Sequence, residues 1–211
     1  MSSGGVTTVC YDATGFSCAG AGYNGTSGQI GGYGWTTGQY WSAGSPAANG
    51  ARHNCTTYAA FRLQHNAYHY PGWTNNANGW DTSAWNANPR VNVDQTPAVG
   101  AIAQWNGGKA GHVAYVELVT SSYIETTSDS YQGGTDHQRI ALNSAYRPDN
   151  FIHFKDQNGL WFIKTKNVGS GHVEVHSRTA ASGYQSGVDV AVNLSPGDAS
   201  NGWFQMAGSK G

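Results

Sequence analysis

The sequence predicts an α+β fold, in which one helix packs on a mostly antiparallel sheet and a small all-β module follows. Apolar residues recur at helical spacing between residues 55 and 66. From residue 97 onward, short alternating segments are separated by turn residues, which is typical of strands and hairpins. The 30 glycines, 8 Trp and 12 Tyr among 211 residues also favour a loop-rich β protein over a helical bundle.

The N-terminal segment, residues 1–49, is rich in glycine and aromatic residues and is assigned to the same domain as the helix that follows it. Cys10 and Cys18 flank the turn-rich stretch YDATGFS. Such a pair in a chain with few charges predicts a short disulfide loop of an exported protein, and two buried free thiols are the alternative. If the pair forms, Cys55 is left over, and a leftover cysteine is a candidate reactive thiol.

The helix predicted over residues 55–66 begins directly after Asn54, a favourable N-cap residue. Its apolar side contains Ala59, Phe61 and Leu63. The stretch of residues 70–90 is rich in Asn and Trp, so it predicts a long ordered loop with room for one short helix.

Five strands are predicted after that loop, and together with the helix they form the expected core domain, residues 50–156. The strands are PAVGAIAQW, HVAYVELV, SSYIETTSDSY, QRIAL and FIHF, with NGGKAG as the hairpin turn between the first two. The turn-forming stretch KDQNG (155–159) is the expected boundary of this domain.

Residues 160–211 predict a separate all-β module of four strands, which is the size of one propeller blade. The strands are LWFIKTKN, HVEVHSRT, VDVAVNL and GWFQMA. The segment resembles one unit of the FG-GAP/VCBS-type propeller repeats, without their calcium-binding D-x-D-x-D-G loop. A lone blade cannot bury both faces, so the module is expected either to form a homo-oligomer or to belong to a longer array of repeats.

The charge pattern excludes several classes of partner. Lys and Arg total 11 and Asp and Glu total 12, with no basic stripe, so no nucleic acid and no membrane surface is expected as a partner. No apolar run approaches the length that spans a bilayer. The start MSSGGVTT lacks the features of a signal peptide, so Met1 is either a cytosolic start or follows removal of a signal. The cysteine pair favours export.

Cys55 has the position of a nucleophile, because a helix N-terminus lowers the pKa of a thiol and offers amide N–H groups to an oxyanion. The alternatives are an inert buried thiol and a zinc site with His53 and His112. One thiol and scattered histidines lack the spacing of zinc ligands, so no metal and no cofactor is predicted.

His112 is the best-placed candidate for the base, because it opens a strand directly after a glycine-rich turn. A third group should accept the second ring N–H and orient the imidazole. The next strand offers Glu125, Ser128 and Asp129 for this role.

Four segments in this order resemble successive blocks of the CHAP domain, the cysteine, histidine-dependent amidohydrolase/peptidase family. They are HNCTTYAAFRLQHNA, PAVGAIAQWNGGKAGHVAYVELV, YIETTSDSY and DNFIHF. The resemblance implies a papain-like fold that cleaves amide bonds of bacterial peptidoglycan, either between N-acetylmuramic acid and alanine or within the peptides. It further implies that Cys55 is the nucleophile and His112 the base.

Two positions depart from the family pattern. Asn54 stands where members often carry Gln, so it either helps the Cys55 N–H to hold the oxyanion or only caps the helix. With the chain aligned on Tyr131, the family's orienting acid falls on Ser128, while Asp129 is one residue away and belongs to the opposite face of a regular strand. Either a bulge turns Asp129 inward, or Ser128 is a neutral acceptor, or the site is impaired.

The expected protein is therefore a secreted, cell-wall-associated peptidoglycan amidase or endopeptidase. The aromatic residues expected to bind the glycan-peptide substrate are Trp80, Trp85, Trp105 and Tyr131. The alternative is a catalytically weak or inactive binding module with the CHAP fold that assembles through its C-terminal blade.

Overall fold

The structure, a computed structural model, describes residues 2–29, 44–66, 72–156, 160–167, 173–178 and 203–207. The chain divides into two units, Met1–Asp156 and Gln157–Gly211, and the division falls inside the stretch KDQNG. In the described residues, no helix is long and apolar enough to cross a membrane.

In its described residues, the first unit combines a large antiparallel sheet with two short α-helices. The helices are α1 (Cys55–His65) and α2 (Trp80–Asn86), with 3₁₀ turns at Ser27–Gln29, Ala48–Gly50 and Ala77–Gly79. The strands are β1 (Ser2–Ser3), β2 (Val6–Asp12), β3 (Ser45–Pro46), β4 (Arg52–His53), β5 (Asn92–Asp94), β6 (Ile102–Trp105), β7 (His112–Val119), β8 (Tyr123–Asp129), β9 (Thr135–Ala141) and β10 (Asn150–His153). Eight of the strands form one sheet in the order β1-β2-β9-β8-β7-β6-β10-β5, and β3 pairs with β4.

The predicted mixed architecture is confirmed, but the sheet is larger than the five predicted strands. The additional strand β2 carries mostly exposed side chains, and its register on β9 shifts between Thr8 and Cys10. Because few side chains of β2 are buried and its register is irregular, apolar and polar residues do not alternate clearly along it. The sequence therefore does not predict this strand.

Helix α1 is fixed on strands β7 and β8 by a polar network beneath its second and third turns. The Tyr58 hydroxyl donates to Thr127 Oγ1 at 2.7 Å. Arg62 forms an ion pair with Glu117, with Nη2 2.9 Å from Oε2, and its guanidinium lies 4.0 Å from the centre of the Tyr115 ring. Because these contacts hold the helix along its length, they also fix the position of its first residue, Cys55.

The N-terminal loop is closed by a disulfide between Cys10 and Cys18, whose Cα atoms are 5.6 Å apart. Inside it, Asp12 accepts hydrogen bonds from the Ser17 hydroxyl and the N–H groups of residues 14, 15 and 17. The Ser17 hydroxyl and these amides hold the pKa of Asp12 at about 2. The Phe16 ring stacks on His53, with 4.3 Å between ring centres, so the loop braces the strand that leads into α1.

The second unit is described by three antiparallel strands, β11 (Leu160–Asn167), β12 (Val173–Arg178) and β13 (Trp203–Ala207). Their order is β12-β11-β13, so β11 pairs with both others. The predicted strand VDVAVNL lies outside the described residues. The propeller-blade interpretation stays a prediction.

Candidate active site

Cys55 and His112 line the same cleft, which has a volume of about 1010 Å³. The cleft lies where the start of α1 faces the turn between β6 and β7. Its lining includes Arg52, Asn54, Thr56, Thr74, Lys109, Gly111, Ser130 and Tyr131. The structure thus brings the two central residues of the sequence prediction to one concave surface.

Asn54 caps helix α1 with its side-chain oxygen. Oδ1 accepts hydrogen bonds from the Thr56 N–H at 3.0 Å and from the Thr56 hydroxyl at 2.7 Å. The extended backbone of Asn54 is the usual conformation of an N-cap residue. This cap places Cys55 in the first turn, where amide N–H groups lack partners within the helix.

Burial dominates the electrostatics of Cys55. It raises the pKa of the thiol to about 11, although the backbone N–H groups of Val113 and Thr56 act in the opposite direction. The residue is a free cysteine, as Cys10 and Cys18 are bonded to each other. Cys55 is therefore a neutral thiol near pH 7.

The position of His112 depends on the glycine before it. Gly111 has φ +69°, and a Cβ on it would lie 2.6 Å from the backbone nitrogen of Asn78 and the carbonyl oxygen of Trp105. Only glycine fits this conformation and this close approach. His112 then enters β7 paired with Trp105 across the hairpin.

The His112 ring contacts a serine, and that serine contacts an acid. Nε2 lies 3.1 Å from Ser128 Oγ, and the Ser128 hydroxyl donates to Asp136 Oδ1 at 2.8 Å. The residue is half-buried, and the loss of solvent around its ring lowers the pKa of His112 to about 4. Burial also raises the pKa of Asp136, while the hydrogen bond from Ser128 lowers it. The ring of His112 is therefore neutral near pH 7.

The fold and this geometry can now be compared with known proteins. Residues 45–133 match the model of the CHAP domain. The resemblance predicted from the sequence is confirmed for these residues, which include Cys55, His112, Ser128 and Asp129.

Two curated proteins share this region. The chain is 36% identical over 102 residues to the probable autolysin LDP of Staphylococcus aureus. The matched region covers 47% of this chain and 35% of that protein. It is 49% identical over 47 residues to the N-acetylmuramoyl-L-alanine amidase sle1 of Staphylococcus haemolyticus, or 22% of this chain and 14% of that protein. The chain therefore matches about a third of the first relative and a seventh of the second.

Of the two candidates for the third residue of the CHAP site, Ser128 is the one that contacts His112. Asp129 is turned to the other side of β8, where Oδ1 lies 2.7 Å from His53 Nδ1 and Oδ2 accepts from the Asn54 N–H at 3.0 Å. The register of β8 on β9 is regular through both residues, so no bulge turns Asp129 toward His112. Burial raises the pKa of Asp129 to about 6, and the hydrogen bond from His53 opposes this rise.

Glu125, the third acidic or polar candidate on this strand, has other partners. Its carboxylate accepts from Arg139 Nη2 at 2.7 Å and lies 3.0 Å from His137 Nε2. Asp136 is not among the candidates from the sequence, because it lies on β9, the strand after β8. The register of β8 on β9, which pairs Ser128 with Asp136, is the information that identifies Asp136.

The four aromatic residues expected to line the cleft differ in burial and in position. Trp80 is fully buried in the core, where its ring contacts Trp73 at 5.8 Å between centres, so its assignment as a cleft wall is wrong. Trp85 is 59% exposed under the guanidinium of Arg90 and does not line the described cleft. Tyr131 is also 59% exposed and does line it.

Trp105 lies on the other side of His112 from the cleft. Its ring centre is 5.7 Å from that of His112, and its indole N–H donates to the Tyr146 carbonyl at 2.9 Å. It borders a second, smaller cavity of about 140 Å³ that His112, Ser128 and Asp136 also line. Trp105 therefore packs beside His112, and the described cleft on the Cys55 side does not include it.

The zinc alternative has no support in the side-chain positions. His53 faces Asp129 and the Thr14 carbonyl, at 2.7 Å and 3.3 Å. Within the part of the chain that the structure describes, no group of three or more His, Cys, Asp or Glu residues could hold a metal ion.

Proposed function

We propose that this protein is a peptidoglycan hydrolase that cleaves an amide bond with Cys55 as nucleophile and His112 as base. The observation that carries the proposal is the shared cleft: inside the CHAP domain, a cysteine at a helix N-terminus and a histidine at a strand start line the same cavity. This order of a cysteine helix and a histidine strand also supports the papain-like relationship expected from the family.

The pKa values favour a thiol and a neutral imidazole as the resting pair. Ser128 engages Nε2, so Nδ1 is the ring nitrogen that remains to act on Cys55. Nδ1 takes the thiol proton as the sulfur bonds to the amide carbonyl carbon. The oxyanion that forms is held by the Cys55 N–H, which lies at the positive end of α1.

The same proton then completes the reaction. The carbon–nitrogen bond breaks, His112 gives its proton to the leaving amine, and a thioester on Cys55 remains. Water, deprotonated by His112, attacks the thioester, and the acid product leaves as the thiol is restored. The Asn54 side-chain oxygen is occupied in capping, so the oxyanion role expected for Asn54 rests on its amide group.

The chemistry of the cleft supports a peptide as the substrate. Arg52 and Lys109 line it, and none of its described lining residues is acidic. A cleft of this charge favours a substrate with free carboxylates, as peptides of the cell wall have. Tyr131 adds an exposed aromatic face for the apolar parts of the substrate.

The proposed location is outside the cell, at the wall. Two observations support it: a disulfide closes the N-terminal loop, and the curated relatives are named as an autolysin and as an N-acetylmuramoyl-L-alanine amidase. Disulfides persist in oxidising compartments, which is where peptidoglycan also lies.

The test is the release of dye from purified, dye-labelled peptidoglycan by the wild-type protein and by Cys55→Ala. We expect release by the wild type alone, and equal release by both proteins would contradict the mechanism. Mass spectrometry of the released fragments then separates the two activities. Glycans whose N-acetylmuramic acid residues have lost the whole peptide indicate an amidase. Fragments in which the peptide itself is cut indicate an endopeptidase.

One observation favours a second candidate, a CHAP-fold binding or assembly module. His112 is contacted directly by the neutral Ser128 and not by a carboxylate, which is compatible with weak catalysis. Light scattering on the pure protein tests its assembly part, since a protein that assembles through the C-terminal unit is larger than a 22.3 kDa monomer.

A further inference from the structure

We propose that Asp136 is the acid that positions His112, and that it acts through the hydroxyl of Ser128. The site then extends over three neighbouring strands, with His112 on β7, Ser128 on β8 and Asp136 on β9. The inference rests on the proposed function insofar as His112 is the base.

The geometry of the three residues is continuous. Nε2 of His112 lies 3.1 Å from Ser128 Oγ, which lies 2.8 Å from Asp136 Oδ1, and both are hydrogen-bond distances. Ser128 and Asp136 are direct partners in the β8–β9 ladder, so the sheet itself holds the second contact in place.

The direction of the hydrogen bonds follows from the number of protons. A hydroxyl has one proton to donate, and Ser128 donates it to the Asp136 carboxylate. The Ser128 oxygen must then accept from His112, which requires the proton of the neutral ring to be on Nε2. The lone pair is therefore on Nδ1, the nitrogen that takes the proton of Cys55.

Without the negative charge of Asp136 this direction is no longer fixed. A protonated Asp136, or an amide in its place, can donate to Ser128, and Ser128 can then donate to Nε2. The ring proton in that arrangement is on Nδ1, and the ring cannot accept a proton from Cys55. Asp136 thus selects the competent tautomer of His112 without touching it.

The surroundings hold the carboxylate in this orientation. Asp136 Oδ2 accepts from Gln138 Nε2 at 3.1 Å, which leaves Oδ1 aimed at Ser128. The ionisable groups near the chain of contacts are Tyr146 on the small cavity, His137 beside Asp136 and Cys55 on the cleft side. His137 is engaged by Glu125. Among the described side chains, Asp136 is the carboxylate that hydrogen-bonds to the His112–Ser128 pair.

The first test measures the tautomer directly and does not depend on hydrolysis. The ¹⁵N chemical shifts of the His112 ring are recorded for the wild type, Asp136→Asn, Ser128→Ala and the matched control Glu125→Gln. We expect the Nε2–H tautomer in the wild type and in Glu125→Gln, and a mixture of tautomers in the other two. An unchanged Nε2–H tautomer in folded Asp136→Asn would overturn the proposal.

The second test measures turnover on peptidoglycan fragments. We expect kcat to fall by about 10- to 100-fold in Asp136→Asn and in Ser128→Ala with little change in KM, the usual effect of losing a group that orients a ligand or base. The double variant should be no slower than Ser128→Ala, because both changes break one chain of contacts. Glu125→Gln should keep wild-type kcat.

A rescue variant separates positioning from a loss of fold. Exchanging the two residues, Ser128→Asp with Asp136→Ser, brings a carboxylate directly to His112 and should recover most of kcat. If the exchange stays as slow as the single variants while all are folded by circular dichroism, the positioning role is wrong. If the wild type does not hydrolyse peptidoglycan and the tautomer still changes in Asp136→Asn, the proposed function fails and the role of Asp136 stands.

Discussion

Ser128 and Asp129 are consecutive residues of β8, yet they serve opposite sides of the strand. Ser128 contacts His112 at 3.1 Å, and Asp129 contacts His53 at 2.7 Å. The first contact lies beside the small cavity behind His112, and the second holds the backbone that leads into α1. Substitutions at neighbouring positions of this hairpin should therefore separate activity from stability.

Asp129→Asn should destabilise the protein. The two carboxylate oxygens accept from the N–H groups of Asn54 and Ser130. An amide has only one accepting oxygen, so one of these buried N–H groups loses its acceptor. Leaving a buried N–H without an acceptor costs about 1–3 kcal/mol of the free energy of unfolding. Urea denaturation followed by circular dichroism measures this loss.

Glu125→Gln is the matched control for that measurement, since it also changes an acid of β8 to its amide, at a more solvated ion pair. We expect it to lower the free energy of unfolding by less than about 1 kcal/mol. Equal losses in the two variants would contradict the structural role given to Asp129.

The reaction of Cys55 with iodoacetamide should be slow at neutral pH and should accelerate as the pH rises. Only the thiolate reacts, and burial raises the pKa of Cys55 to about 11. The rate should therefore increase about tenfold per pH unit between pH 6 and pH 9. A fast rate that is constant between pH 5 and pH 8 would instead indicate a resting thiolate–imidazolium pair.

The titration of His112 provides a second pH test. Burial lowers its pKa to about 4, so the neutral ring should persist well below the usual histidine midpoint near 6.5. Protonation near pH 4 removes the proposed base, so activity should persist below pH 6.5 and be lost as the pH falls toward 4. Proton NMR of the ring in Cys55→Ala measures the pKa, and a midpoint near 6.5 would contradict the burial of the ring.

Gly111→Ala should reduce kcat more strongly than Gly108→Ala. Both glycines have positive φ, at +69° and +77°, so both substitutions carry the backbone cost of about 1–2 kcal/mol. Only the Cβ at residue 111 meets backbone atoms, at 2.6 Å, whereas the one at residue 108 meets open space. The backbone shift that a Cβ at residue 111 forces should displace His112. A comparison of kcat for the two variants at equal folded fraction measures the effect of this displacement. Similar kcat values would mean that the close approach at Gly111 does not position His112.

Tyr131→Ala should raise KM for peptidoglycan fragments by about 2- to 10-fold, because an aromatic contact is worth about 0.5–1.5 kcal/mol. Trp85→Ala is the matched control, since both residues are 59% exposed and only Tyr131 lines the cleft. An equal rise in KM for both variants would contradict the position assigned to the substrate.

The sequence predicts the parts of the site that depend on local signals. The cap at Asn54 marks the start of α1, the glycine turn marks the start of β7, and the period of a strand separates Ser128 from Asp129. Asp136 escapes prediction because its contact depends on the register between two strands, which the turn at residues 130–134 determines. The burial of Trp80 escapes prediction because composition alone does not say which way a residue of a short helix faces.

The disulfide loop lies behind the cap of α1, where Phe16 stacks on His53 and the Thr14 carbonyl faces the same ring. A reduced chain lacks the covalent bond that closes this brace, and closing a loop of this length stabilises a fold by about 2–3 kcal/mol. Formation of the Cys10–Cys18 bond should therefore also stabilise the segment that carries Cys55. We expect newly made, still reduced chains to hold the strand before Cys55 less firmly than chains that have formed the Cys10–Cys18 bond.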